Sequence, residues 1–336
     1  MTKILLTGSA GFLGQQIARS LLLQGATDLR LHVRNKAPAG FVEGLQREFP
    51  QANIEVAAAN LLARGSLDAV MQGVHTVVHA AAGMKGAAAD MFANTVIGSR
   101  NVFEAAGQAG VKRLVLISSF SVYKTDQLAS GATLMDNNPI EPVGVDKGPY
   151  GYAKTRQEHL LGEVKQQYGF ETVVLRPGVI YGPGGGALSP RVGLNVMGWF
   201  FSLGGGALLP LTYVENCADA VARATLHAPD GAAYSVVDDH LPSCKAYLDG
   251  YRRHVRKLRV IPVPAGLFRW GAKQLTGYHK RSKGQLPAVF TPYVVRSMYT
   301  PLRYSNAGLK AIGWTQRVPT PEGMQRTYAW LKANKR

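Results

Sequence analysis

A chain of 336 residues with 46% hydrophobic and 18% charged residues is long enough to bury a substantial core, as one large domain or two interlocked ones, and it shows no internal repeat or low-complexity tail. Its net charge of +17 is concentrated: residues 245–283 hold eleven Lys or Arg against the single acid Asp249, a net +10. The two cysteines, Cys217 and Cys244, match no metal or redox spacing, which excludes a disulfide framework and fits reduced thiols in a cytoplasmic protein.

The first strand, Ile4-Leu5-Leu6, ends in glycines at 8, 11 and 14, and an apolar-periodic stretch with Ile17, Leu21 and Leu22 follows. This is strand, tight turn and helix, the arrangement in which backbone N–H groups and a helix dipole meet a pyrophosphate. No signal peptide is in view, because the N-terminus runs straight into that strand. Residues 29–33 read as a second strand and 54–58 as a third, followed by a helical segment near 66–72. The run 76–80 (Thr-Val-Val-His-Ala) is continuously apolar, as in a parallel strand covered on both faces. A helix is expected over about 88–109, a buried strand over 113–118 and a long polar loop over about 125–148. A helix over 150–168 and a strand over 172–176 follow. Residues 192–214 carry no charge yet contain six Gly or Pro, so they read as a helix plus glycine loop over a substrate pocket rather than a membrane span. A helix after Val214 and a strand near 233–237 close the pattern. The alternation predicts an α/β fold: a Rossmann-type doubly wound parallel sheet with a smaller, mostly helical C-terminal substrate-binding part. Residues 1–181, with about 213–238 added, form the dinucleotide-binding domain; 182–212 and 239–336 form the substrate-binding part.

The candidate chemistry lies in two segments. The strand at 113–118 leads into Ser118-Ser119, and thirty-one residues after Ser119 comes Tyr150-Gly-Tyr-Ala-Lys154. Tyr150 and Lys154 are four apart and share a helix face. A phenol has a pKa near ~10, and a nearby ammonium favours its phenolate. Tyr150 can then act as acid in carbonyl reduction or as base in alcohol oxidation, with Ser119 orienting the substrate oxygen. A second Tyr-x-x-x-Lys pair, Tyr328 and Lys332, has no such setting and reads as coincidence. Tyr152 and Arg156 read as packing and surface residues and His32 as structural; His79, in a segment lining the cleft, is assigned no chemistry.

These motifs resemble the extended short-chain dehydrogenase/reductase superfamily nearly end to end. The matching residues are Thr7-Gly8-x-x-Gly11-x-x-Gly14, Val77-Val78-His79-Ala80-Ala81, Asn94 before Gly98, Ser118-Ser119-x-x-Val122-Tyr123 and Pro149-Tyr150-Gly-Tyr-Ala-Lys154. They continue with Leu175-Arg176-Pro177-Gly178, Tyr213-Val214-x-Asn216-x-x-Asp219-Ala220 and Leu309-x-x-x-Gly313-Trp314. The resemblance implies catalytic Ser119, Tyr150 and Lys154, the last also holding the nicotinamide ribose. It implies a cofactor cleft formed by Thr7, Gly8, Ala10, Gly11, Phe12, Leu13 and Gly14, with Asn60 and Leu61 at the adenine. Ala80, Ala81, Ala82 and Asn94 would line the cleft, and Pro177, Gly178, Val179 and Ile180 would face the nicotinamide amide. Asn60 stands where the family usually has Asp, and Lys124 where it usually has Gly. Within the NAD-dependent epimerase/dehydratase family, Leu211-Thr-Tyr-Val-Glu-Asn is most similar to 3β-hydroxysteroid dehydrogenase-like ketoreductases. Nucleotide-sugar epimerases usually carry Arg-Asp just before Tyr-Val, and here Pro210-Leu211-Thr212 stands there.

At the end of the second strand the sequence reads Val33-Arg34-Asn35-Lys36, with no carboxylate for the adenosine ribose. Arg34 suits a 2′-phosphate, so NADP(H) is expected over NAD(H). The expected activity is NAD(P)-dependent interconversion of a secondary alcohol and a ketone on a hydrophobic or amphipathic substrate. The alternatives are a nucleotide-sugar epimerase, dehydratase or reductase using the same site, or a non-catalytic dinucleotide-binding partner protein. A homodimer through helices near 90–109 and 150–166 is implied by the resemblance. The basic segment 245–283, with Leu267, Phe268 and Trp270 beside its cations, suggests peripheral contact with anionic membrane. No nucleic acid and no metal are expected.

Overall fold

A computed structural model describes residues 2–84, 86–281 and 291–334. In chain order the first half runs β1 (Ile4–Thr7), α1 (Phe12–Leu23), β2 (Asp28–Val33), α2 (Phe41–Glu48), β3 (Asn53–Ala58), α3 (Asp68–Met71), β4 (Thr76–His79), α4 (Ala88–Phe92), α5 (Gly98–Gln108) and β5 (Arg113–Ile117). Next come β6 (Thr133–Leu134), α6 (Gly148–Tyr168), β7 (Glu171–Pro177), β8 (Val179–Tyr181), β9 (Gly193–Val196), β10 (Trp199–Ser202), β11 (Leu211–Tyr213), α7 (Val214–His227) and β12 (Ala232–Val236). The chain closes with α8 (Cys244–His254), β13 (Arg259–Pro262), α9 (Ala265–Arg281), α10 (Pro292–Tyr299), β14 (Arg303–Tyr304), α11 (Ala307–Ala311) and α12 (Thr320–Ala333).

Seven strands form one parallel sheet in the order β12-β7-β5-β4-β1-β2-β3. Side chains alternate across it with the strand period of two. Ile4 and Leu6 face a core with α1 and α7, while Leu5 faces a second core with α5 and α6. Both faces are covered, which is why these strands read as unbroken apolar runs. The strand order reverses between β1 and β4, where Thr7 pairs with His79 at their carboxyl ends. A crevice at such a switch point is where a doubly wound sheet binds its ligand.

Two expectations need correction. Residues 192–214 do not form a helix: β9 and β10 make a hairpin joined by Met197-Gly198, and β13 adds a third strand beside β10. Both loop residues have positive φ, 51° and 83°, as a two-residue hairpin turn of matching twist requires. Helical reading failed because the apolar run here has strand length, and Met-Gly is a weak turn signal. The expected helix over 88–109 is interrupted by a π-helical turn over Ala93–Ile97. Thr95 Oγ1 accepts from Gly83 N at 2.9 Å, tying the widened turn to the loop after β4. Such turns insert one residue and re-aim side chains, often at functional sites.

Candidate active site

The glycine turn is built for a phosphate. Gly8 has φ 71°, and a Cβ there would lie 2.9 Å from Ala81 N. A Cβ on Gly14 would lie 2.1 Å from Gly8 O, so only glycine lets α1 approach the turn. α1 begins at Gly11 with no side-chain cap, leaving the first N–H groups of Phe12, Leu13 and Gly14 directed at the crevice. Ala80, Ala81 and Ala82 run along the same mouth from β4 and are partly exposed. This cradle fits the pyrophosphate of a dinucleotide.

Farther out, Arg34 Nη2 donates to Asn94 Oδ1 at 2.6 Å, so two residues expected at the cofactor meet across the crevice. Asn60 is exposed and its Oδ1 accepts from Leu62 N at 3.1 Å; Asn101 Nδ2 donates to Leu61 O at 2.8 Å. Beyond Pro177, the Gly178 N–H donates to Val236 O and the Val179 N–H to Pro210 O, at 3.1 and 2.6 Å. Those two donors are therefore consumed by the fold. A Cβ on Gly178 would lie 2.2 Å from Pro210 O. Val179 and Ile180 are partly exposed in β8, which pairs with β11.

Ser119 caps a 3₁₀ turn at the carboxyl end of β5, its Oγ accepting from Ser121 N at 3.2 Å. Its side chain lies near the Tyr150 phenol, which α6 presents three residues into its first turn. Burial pushes that phenol above its ordinary range, and the neighbouring Ser119 hydroxyl partly offsets this. The expected lowering by Lys154 is not seen. Lys154 instead donates from Nζ to Ile117 O and Gln157 Oε1, both at 2.7 Å. Burial lowers its pKa to about 7, with Glu158 opposing.

Lys154 heads a buried chain that sequence reasoning did not assemble. Gln157 Nε2 donates to Ser99 Oγ at 2.6 Å, and Ser99 Oγ donates to Thr95 O. The single Ser99 proton is thus committed, so His79 Nε2, 2.8 Å away, must be the N–H donor to Ser99. Burial drives the His79 pKa to about 3, leaving the ring neutral. Its Nδ1 lone pair then accepts from Thr7 Oγ1 at 2.8 Å. Thr7 Oγ1 in turn accepts from Ala81 N at 3.4 Å. Lys154 and the glycine turn are therefore connected through Gln157, Ser99, His79 and Thr7. The i, i+3 spacing of Lys154 and Gln157 was the available sequence signal for this chain.

A second buried network lies behind Ser118. Its Oγ donates to Glu158 Oε2 at 2.6 Å, and Glu158 pairs with Arg176. Arg176 lies 4.8 Å above the Tyr123 ring, whose hydroxyl is 2.8 Å from Ser235 Oγ. Elsewhere Tyr152 stacks on Phe92 and Arg156 pairs with Glu163, in keeping with packing and surface roles. Tyr328 is buried, its hydroxyl donating to Tyr247 O at 2.9 Å. A cleft of about 760 Å³ between α8 and α12 is lined by His254, Met324 and Tyr328 among others, with none of Ser119, Tyr150 or Lys154. No cluster of metal-ligand side chains occurs among the described residues.

The family model for the NAD dependent epimerase/dehydratase family matches residues 4–237, and the chain belongs to that family, whose members are NAD(P)-dependent extended short-chain dehydrogenases/reductases. It is 32% identical over 234 residues to 2-alkyl-3-oxoalkanoate reductase of Stenotrophomonas maltophilia, covering 64% of this chain and 63% of that one. It is 31% identical over 283 residues to the decarboxylating sterol-4-alpha-carboxylate 3-dehydrogenase of Saccharomyces cerevisiae, covering 76% of each. The match thus spans just under two thirds of the reductase's length. Among solved structures, UDP-glucose 4-epimerase of Thermus thermophilus in complex with NAD superposes with a TM-score of 0.71 at 21% identity, covering 99% of this chain and 100% of that one. A dTDP-glucose 4,6-dehydratase of Streptomyces venezuelae with NAD and TYD bound gives 0.71 at 18%, covering 99% and 98%. At these identities the two share the fold.

Proposed function

We propose that this protein is an NADP(H)-dependent ketoreductase acting on a hydrophobic or amphipathic ketone, with Ser119, Tyr150 and Lys154 as its catalytic residues. The observation that carries the reading is the placement of Ser119 at the carboxyl end of β5 and of Tyr150 near it in the first turn of α6, with burial favouring the neutral phenol. A protonated phenol is the form that a carbonyl reduction consumes. The bound dinucleotide would supply the hydride. Ser119 Oγ orients the substrate oxygen, Tyr150 Oη gives it a proton, and Lys154, with a pKa about 7, can exchange a proton near neutrality at Nζ. The glycine turn from Thr7 to Gly14, with Ala80, Ala81 and Ala82, would hold the pyrophosphate, Asn60 and Leu61 the adenine, and Pro177 to Ile180 the nicotinamide side.

Two features support the finer assignments. Arg34 stands exposed at the end of β2 with no carboxylate beside it in Arg34-Asn35-Lys36, which favours a 2′-phosphate. Before Tyr213, β11 offers buried Leu211 and Thr212 rather than a cation for a substrate diphosphate. The names of the two curated relatives, an oxoalkanoate reductase and a sterol-carboxylate dehydrogenase, agree with an apolar substrate. We assign substrate binding to 182–212 and 239–336, and a homodimer to α5 and α6. The test is NADPH oxidation with a panel of long-chain 3-oxo acids, sterol ketones and nucleotide sugars, with sedimentation of the same preparation. Turnover of apolar ketones is expected; turnover of nucleotide sugars alone would overturn the reading.

A further inference from the structure

The uncharged hairpin and the basic segment, distant in sequence, meet in one surface. In the three-stranded sheet β9-β10-β13, Val196, Trp199 and Arg259 are register neighbours, as are Leu194, Phe201 and Ile261. With the strand period of two, these six share one face, while Phe200 is buried on the other. Val196, Trp199 and Ile261 are exposed, and the Arg259 guanidinium lies 5.6 Å from the Trp199 ring. At the hairpin tip Met197 is 96% exposed.

α9 starts three residues after β13 and carries exposed apolar side chains of its own. Its Phe268 packs edge-on against Tyr299 of α10 at 5.2 Å, and Ala272 is buried. Leu267 and Trp270, off that inner side, are exposed at 58% and 62%. The same elements are cationic: Arg252, Arg253, Arg256 and Lys257 precede β13, Arg269 and Lys273 lie on α9, and all six are exposed. Asp249 is already paired with Lys245 and Arg252. Exposed apolar side chains on successive elements, two of them tryptophans, among exposed cations are the composition of an interfacial membrane surface.

We propose that this face, with Met197, Trp199, Leu267 and Trp270 at its centre, docks on an anionic lipid bilayer. This goes beyond the ketoreductase reading and does not depend on it. The apolar centre enters the headgroup–acyl boundary, and the cations meet lipid phosphates. Charge selects the occupant. A second copy would bring two net +10 segments together, and a polyanion without an apolar body would leave Met197 and Leu267 in water. The surface also adjoins the site: α10, which carries Phe268's partner Tyr299, places Tyr293 5.3 Å from Lys147, three residues before Tyr150. No helix among the described residues is long and apolar enough to cross a membrane, so attachment is peripheral.

The test is co-sedimentation of the whole protein with phosphatidylcholine vesicles, with and without about a third phosphatidylserine, at low and high salt. Partitioning to the anionic vesicles, weakened by salt, is expected. Met197→Asn/Trp270→Gln changes two exposed side chains, the first to a residue that tolerates positive φ, and should reduce partitioning by about tenfold or more. Its melting temperature should be unchanged. Failure of the unmodified protein to bind anionic vesicles at low salt overturns the proposal. So does binding that the double variant leaves intact, which would mark a solvated basic face. A change of oligomeric state in the double variant without vesicles would assign the face to contact between copies, and also overturns it.

Discussion

Replacing Gln157 tests whether the buried chain behind the active site sets the state of Lys154. Gln157 is completely buried and makes two bonds, accepting from Lys154 Nζ at 2.7 Å and donating to Ser99 Oγ at 2.6 Å. In Gln157→Leu the ammonium loses one of its two acceptors, a charge-assisted bond of about 1.5–3 kcal/mol, and Ser99 loses a neutral donor of about 1 kcal/mol. Apolar burial of leucine returns about 1 kcal/mol, so the net destabilisation is about 1.5–3 kcal/mol. The first loss falls on the charged form alone, so it lowers the Lys154 pKa by about 1–2 units from its value about 7. Gln157→Glu places a carboxylate beside the ammonium and moves the pKa up. Chemical denaturation and the pH dependence of kcat/KM read both effects. The limb belonging to Lys154 should move to lower pH in the leucine variant and to higher pH in the glutamate variant. Profiles that stay fixed in both, with stability unchanged, would refute the reasoning.

Three further outcomes follow from named contacts. Glu158→Gln leaves Arg176 buried without its countercharge and should cost about 3–5 kcal/mol in chemical denaturation, while Glu158→Leu/Arg176→Met should recover most of it. His79, held neutral with a pKa about 3 against an ordinary 6.5, is protonated first in the unfolded chain. Its contribution to stability is therefore constant above pH about 6.5 and lost as pH falls towards 3, by up to about 1.4 kcal/mol per unit, and His79→Gln should flatten that slope. Arg34→Ala should narrow a preference for NADPH over NADH by about tenfold or more in affinity, since a charge-assisted phosphate contact is worth about 1.5–3 kcal/mol; equal affinities in the unmodified protein would contradict the assignment.

What was legible in the sequence was local. The strand–glycine–helix start, the apolar runs of the sheet and the Tyr150–Lys154 spacing each follow from a period or a turn requirement within about a dozen residues. What was not legible depends on contacts across the fold. His79, Ser99 and Gln157 are separated by 20 and 58 residues, and only the parallel pairing of β1 with β4 and the packing of α5 on α6 bring them together. The π-helical turn has no periodicity of its own. The hairpin at 193–202 was hidden because both its central residues take positive φ although the first is methionine. The position of Lys154 was read as close to the phenol because i and i+4 share a helix face; the ammonium instead reaches inward to Ile117 O and Gln157.

The central claim is that the Tyr150 hydroxyl delivers the proton in ketone reduction. Tyr150→Phe removes that oxygen and little else, so turnover of the ketone should be abolished while dinucleotide binding, measured by titration, is retained. Tyr328→Phe is the control: it removes a buried hydroxyl bonded to Tyr247 O, should cost about 0.5–1.5 kcal/mol of stability, and should leave turnover unchanged. Turnover near that of the unmodified protein in Tyr150→Phe would contradict the account.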